Sequence, residues 1–238
     1  VLLIPGIAAA GCLGLVRVLG SMAMPGRWPW VGGVLLAIAT PWWHYAGIGS
    51  EEITLGTLSI WSLVNLASMR RRLAAGELRP AARRLVFAGL LVATALTFRS
   101  TAVAPALGLL ALAGLWAWPH RRDLAAAWPL LALGIAAAVA IVALVPIYND
   151  VRFGNPLDTG YARFYKPLGG LFQAPLHVGL YGHLLSPGQG YLLYVPVLGL
   201  IVVAAIAGRS RRAVGGVWLA LGIALALHLA VYTRVVFW

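Results

Sequence analysis

LAAAWPLLALGIAAAVAIVALVPIY, the stretch Leu124–Tyr148, runs without a single charged side chain. At about 1.5 Å of rise per helical residue it exceeds the roughly 30 Å of a bilayer's hydrocarbon core. That reading places the chain in a membrane as helices, and the bulk composition agrees. Of its 238 residues, 61% are hydrophobic and 10% charged, with a mean hydropathy of +0.89. A soluble domain carries roughly a quarter charged residues. A soluble enzyme and a disordered tail are therefore excluded, and a single cysteine, Cys12, leaves no disulfide framework to read.

Similar runs lie on both sides. Leu2–Leu19, Trp30–Tyr45, Ile53–Met69, Leu85–Phe98 and Thr101–Trp118 precede the opening stretch; Tyr191–Ala207 and Ala213–Tyr232 follow it. The expected fold class is all-α: a polytopic integral membrane protein of about eight spans, forming one transmembrane domain over residues 1–238. Leu85–Phe98 is the shortest run. It either begins near Pro80 with its arginines snorkelling or forms a broken pair with the next span. Both readings leave Arg99 at a membrane surface.

The net charge of +12 would suggest nucleic acid in a soluble protein. Sorted by connection, the charge has another meaning. Arg17, Arg27, Arg70, Arg71, Arg72, Arg79, Arg83, Arg84, Arg121, Arg122, Arg209, Arg211 and Arg212 fall in odd-numbered connections, thirteen of the eighteen basic residues. The other face receives Arg99, Arg152, Arg163, Lys166 and Arg234. Positive charge accumulates on the cytoplasmic side, so the odd connections are expected inside. Nucleic acid is left without a signal. The expected location is a plasma membrane, crossed several times, with membrane lipid as the immediate partner. The chain starts at Val1 without a preceding charged segment and ends at Trp238 in an aromatic-basic stretch. It reads as a piece of a longer polytopic protein.

Four of the six acidic residues, Glu51, Glu52, Asp150 and Asp158, fall on the outer face. The first outer connection is PWWHYAGIGSEEIT, residues 41–54. Ser50 suits a helix cap, and carboxylates in a first turn are favoured by the helix dipole. Two adjacent carboxylates at membrane depth are also costly enough to suggest function, as a general base or a divalent-cation site. Trp42, Trp43 and Tyr45 fit an interfacial belt or a platform for a sugar ring, with His44 beside them. Arg99 fits either a snorkelling cation or a planar group that grips a phosphate. The longest polar segment, residues 149–190, is expected as an outer loop. Its turn formers present Arg152, Asp158 and Tyr161. Leu171, Leu176, Leu180 and Leu184 then recur at helical spacing over Gly170–Leu185, which suggests an interfacial helix ended by Ser186-Pro-Gly-Gln-Gly. His177 and His183 stand six apart, off the spacing of a helical metal pair, and no metal site is expected there.

Several segments together resemble polytopic bacterial glycosyltransferases of the GT-C class, the family 39-like enzymes that depend on a phospholipid carrier. They are TPWWHY (40–45) with Ser50-Glu51, LTFRST (96–101), YNDVRFGNPLDTGY (148–161), GLYGHLLSPGQGYLLYVP (179–196) and the closing His228–Trp238. The likeness covers the chain from about Gly14 onward. It implies inverting sugar transfer from a polyprenyl-phosphate-linked donor at the outer face, with the lipid-linked sugar as partner and a divalent cation left open. It implies a principal acidic base in an outer loop upstream of the matched segments, for which this chain has no counterpart. Glu51 matches the Ser-Glu of a later loop, and Arg99 the arginine after a Leu-Thr pair. Glu51 and Glu52 are thus the candidate catalytic residues, with Arg99, Arg152, Asp158, Tyr161 and His44 binding substrate. The same arginines and short spans fit a transporter or flippase for a lipid-linked or anionic substrate, although no internal repeat is visible. A non-catalytic membrane scaffold is the third reading.

Overall fold

The computed structural model describes residues 3–22, 24–99, 102–158, 160, 174–186 and 215–233. All regular structure among them is helical. Three stretches are long and apolar enough to cross a membrane: Leu3–Ser21, Leu78–Phe98 and the near-continuous run Val103–Phe153. The span expected over Tyr191–Ala207 lies outside the described residues, as do Arg163, Lys166 and Arg234.

Helix α1 (Leu3–Ser21) turns through Gly26, whose φ of 58° suits glycine, into α2 (Trp28–Ile38). The second expected span then differs from a single helix. At Thr40 and Pro41 the chain breaks: the Thr40 hydroxyl donates to the Leu36 carbonyl at 2.7 Å, and Pro41 offers no N–H to continue the ladder. A short helix, α3 (Trp42–Ile48), follows and ends at Gly49 with φ 73°. Next come α4 (Glu51–Ala74) and α5 (Leu78–Phe98), joined by a tight turn through Gly76. Helix α5 begins seven residues before Leu85, so Arg79, Arg83 and Arg84 lie on its first turns.

The run after Arg99 folds back on itself. Ala102 shares an apolar cluster with Ala95 and Leu55, while Gly134 packs against Val86, whose side chain lies 2.6 Å from where a Cβ would stand. Residues 86 and 95 are about 14 Å apart along α5, whereas an unbroken helix from 102 to 134 would measure about 48 Å. The reversal is made by 3-10 turns around α7 (Arg121–Leu124), which separate α6 (Val103–Ala117) from α8 (Trp128–Phe153). Helix α8 therefore runs parallel to α5, and it continues through Asn149–Phe153, the first residues assigned to the outer loop. Two more helices are described, α9 (Leu176–Leu185) and α10 (Gly215–Tyr232); α10 packs along α6 and touches α9. Of the expected helix Gly170–Leu185, residues 170–173 lie outside the described residues.

Helix α4 is the centre of the molecule, packed against α5, α1 and α6. It is too polar along its length to qualify as a membrane crossing by itself, and its polar groups are consumed internally. The Thr57 hydroxyl donates to the Ile7 carbonyl at 3.1 Å and the Trp61 indole N–H to Ala10 at 3.0 Å, both on α1. On the α5 side the Ser62 hydroxyl donates to the Ala88 carbonyl at 3.0 Å, and Arg84 donates to the Asn65 side-chain oxygen at 3.1 Å. Unmade bonds would cost several kcal/mol each in hydrocarbon. Close packing follows from small residues: Gly11 and Gly14 of α1 face Thr57, Ile60 and Trp61. At the arginine-rich end, Leu66, Met69 and Leu73 of α4 bury against Ala81, Ala82, Leu112 and Leu124.

Candidate functional site

The sequence Ile48-Gly-Ser-Glu-Glu performs two jobs in five residues. Gly49 closes α3 in the left-handed region, and extended Ser50 (φ −72°, ψ 143°) opens α4. The Ser50 hydroxyl accepts the Glu52 backbone N–H at 3.4 Å and donates to the Glu52 carboxylate. Helix α5 ends at Phe98, and Arg99 takes an extended backbone (φ −160°, ψ 137°). Because α4 and α5 are antiparallel, the start of one stands beside the end of the other.

That junction forms a three-residue ionic cluster. The Arg99 guanidinium donates to the Glu52 carboxylate and pairs with Glu51 at 3.3 Å. Each charge also sits at the helix end its sign favours, carboxylates at an N-terminus and a cation at a C-terminus. The cluster carries one net negative charge at neutral pH. Side-chain exposure is 31% for Arg99, 49% for Glu51 and 40% for Glu52, so the group is neither sealed nor fully solvated. The two separate sequence readings, a phosphate-gripping arginine and a pair of carboxylates, therefore meet in one place. A divalent cation does not fit the pair well, because the guanidinium already stands on the carboxylate oxygens. Among the described residues no group of three metal-ligating side chains occurs.

The remaining candidates stand apart from this cluster. His44 lies on the exposed face of α3, edge-on to the rings of Trp43 and Tyr45 at 5.8 Å. Arg152, in the last turn of α8, stacks over Phe153 at 5.2 Å and over Tyr148, whose hydroxyl it also engages. Pro146 and Leu96 line the same groove, which places Arg152 at the Arg99 end of the molecule, about 9 Å farther along the axis than Pro146. Asp158 has a local role: its carboxylate accepts the Gly160 N–H at 2.8 Å, while Asn155 takes the Leu157 N–H at 2.9 Å. The expected compact turn is thus present up to Gly160, and Tyr161 lies outside the described residues.

Two features escaped the sequence reading. Trp42 is a wedge rather than a belt residue: its ring fills a slot between Gly11 and Gly56, and its indole N–H donates to the Ala8 carbonyl at 3.1 Å. Glycines at these positions in separate spans were the available signal. The second is His183, buried on α9, whose ring faces His228 of α10 at 6.5 Å. It pairs across helices, which no local spacing could disclose. Comparisons with family models, with curated proteins and with solved structures return no match for this chain.

Proposed function

We propose that this chain belongs to a multi-pass glycosyltransferase of a bacterial plasma membrane, which moves a sugar from a polyprenyl-phosphate-linked donor to an acceptor at the extracytoplasmic face. The observation that carries the reading is the Glu51–Glu52–Arg99 cluster. It stands at the end of α4 and α5 opposite the arginine-rich turn. As a stabilising device it is poor, because partly exposed ion pairs contribute about 0–1 kcal/mol. Ionisable groups in a membrane protein otherwise carry a large cost, which favours a functional reason for three of them together. The eight-span topology with odd connections inside belongs to the same proposal.

In this reading the roles divide by geometry. Glu52, held by both Ser50 and Arg99, positions the guanidinium. Arg99 offers a planar cation at the membrane surface, where the phosphate of a lipid-linked donor lies. Arg152 is the second cation at that end. Glu51 has the longer contact to Arg99 and the greater exposure, and is the carboxylate available to an acceptor hydroxyl. The hydroxyl oxygen bonds to the anomeric carbon, the carbon–oxygen bond to phosphate breaks with its electron pair leaving on the polyprenyl phosphate, and the hydroxyl proton passes to Glu51. Its part is to assist and orient the acceptor rather than to act as the sole base.

The test uses the intact protein in liposomes with a radiolabelled polyprenyl-phosphate sugar. Arg99→Ala and Glu51→Gln are expected to abolish consumption of the donor while membrane insertion is unchanged. Wild-type turnover in both variants would remove the site assignment. Movement of the donor between leaflets without a covalent product would replace the enzyme by a flippase.

A further inference from the structure

A groove of about 670 Å³ runs between α5 and α8, lined on one side by Val86, Gly89 and Ala93 and on the other by Trp128, Ile135 and Val142. None of its lining residues carries a charge, and among the described residues the helical run containing α8 is almost wholly uncovered on its apolar surface, with 6% of its most apolar window buried. The groove extends from Trp128 to Pro146, about 27 Å, close to the thickness of a hydrocarbon core.

Its two ends differ in charge. At the Trp128 end, Arg79 lies one heptad before Val86 and Arg83 one turn before it, so both continue the face of α5 that lines the groove. Helix α7 packs against α5 there and brings Arg121 and Arg122 to the same end. All four arginines are exposed. The nearby carboxylates are Asp123, approached by the His120 ring at 3.9 Å, and Glu77, which is paired with Arg72. At the Pro146 end stand the Glu51–Glu52–Arg99 cluster and, on the last turn of α8, Asp150 and Arg152, so cations and carboxylates are mixed there.

We propose that the Trp128 half of this groove is a binding site for one anionic glycerophospholipid, its acyl chain against α5 and α8 and its phosphate among Arg79, Arg83, Arg121 and Arg122. Charge complementarity sets the orientation: an anionic headgroup finds four exposed arginines at the Trp128 end, whereas at the opposite end Arg99 is already engaged by two carboxylates. The proposal does not rest on the glycosyltransferase reading, because it concerns the other face of the membrane and no residue of the proposed reaction.

The test is native mass spectrometry of the purified protein offered phosphatidylglycerol and phosphatidylcholine with identical acyl chains. Wild type is expected to retain phosphatidylglycerol about tenfold or more over phosphatidylcholine, since each basic residue near a lipid phosphate adds attraction. Arg79→Gln combined with Arg83→Gln should lower that ratio severalfold, with Arg121 and Arg122 holding the remainder. Gly89→Leu, at a position with open space beyond its Cα, should fill the groove and displace both lipids. Equal retention of the two lipids by wild type overturns the proposal, and so does an unchanged preference in the arginine double variant. A protein that retains no lipid because another helix closes the groove overturns it as well. Should Gly89→Leu fail to fold, the arginine variant decides by itself.

Discussion

Arg99 shows how a single side chain can be noticed in a sequence while its partners stay hidden. Its position after a short apolar run marked it as a surface cation, and Glu51 and Glu52 were marked for the cost of two carboxylates near a membrane. Their partnership spans 47 positions of sequence and depends on where α5 starts and stops, which composition does not fix. Substitutions can separate structure from chemistry at this point. Ser50→Ala removes a helix cap and the hydroxyl that steadies Glu52. Loss of the cap costs about 1 kcal/mol, so a modest drop in unfolding free energy is expected, with most of the sugar-transfer activity kept. Arg99→Lys retains the charge but loses the planar guanidinium proposed to grip the donor phosphate. Its unfolding midpoint should stay near wild type while donor turnover collapses. If stability and turnover fall in proportion in both variants, the cluster is structural.

Trp42 raises the same issue for whole elements, because it fastens the short helix α3 to α1 and α4. The second apolar run looked continuous in the sequence, since Trp, Tyr, Ala and Ile keep its hydropathy high across Thr40 and Pro41. The break was legible only as a proline, and its consequence was not. Helix α3 is held by a ring seated between two glycines. A Cβ on Gly56 would stand 2.6 Å from that ring, and one on Gly11 2.5 Å, distances that real side chains do not tolerate. Overpacking of this kind costs roughly 1–3 kcal/mol, whereas an interhelical hydrogen bond in a membrane averages about 0.6 kcal/mol. Gly56→Ala is therefore expected to destabilise more than Thr57→Val, which removes only the bond to Ile7. Trp42→Phe, which keeps most of the ring and loses the bond to Ala8, should resemble Thr57→Val. Unfolding of the three variants in mixed micelles checks the order; a Thr57→Val loss larger than that of Gly56→Ala would show that polar bonds, not close packing, hold these helices.

At the scale of the molecule, the sequence discloses the class more readily than the number of spans. Long apolar runs and the uneven arginines identify helices in a membrane. Among the described residues only three helical stretches meet the length and apolarity of a crossing by themselves, for physical reasons that differ by element. Helix α2 has 11 residues and α6 has 15, short of a full crossing. Helix α4 is long enough but spends its interior on Thr57, Ser62 and Asn65, which are satisfied by α1, α5 and its own backbone. A hydropathy reading cannot see that neighbours shelter those groups. The packing nevertheless carries a direction at each step: α1 lies parallel to α4, α5 antiparallel to it, and α8 parallel to α5. With the arginines inside, Ile48 and Leu157 belong on one face of the membrane and Ala75 on the other. Ile48 is 64% exposed and Leu157 87% exposed, so cysteines there should react freely. In a Cys12→Ser background, Ile48→Cys and Leu157→Cys should label with an impermeant maleimide in intact cells, and Ala75→Cys only after permeabilisation. Labelling of Ala75→Cys together with Ile48→Cys would mean that α4 does not pass from one face to the other. The ionic cluster and the arginine-rich turn would then share a surface, and the proposed division between an outer reaction site and an inner lipid site would fall with it.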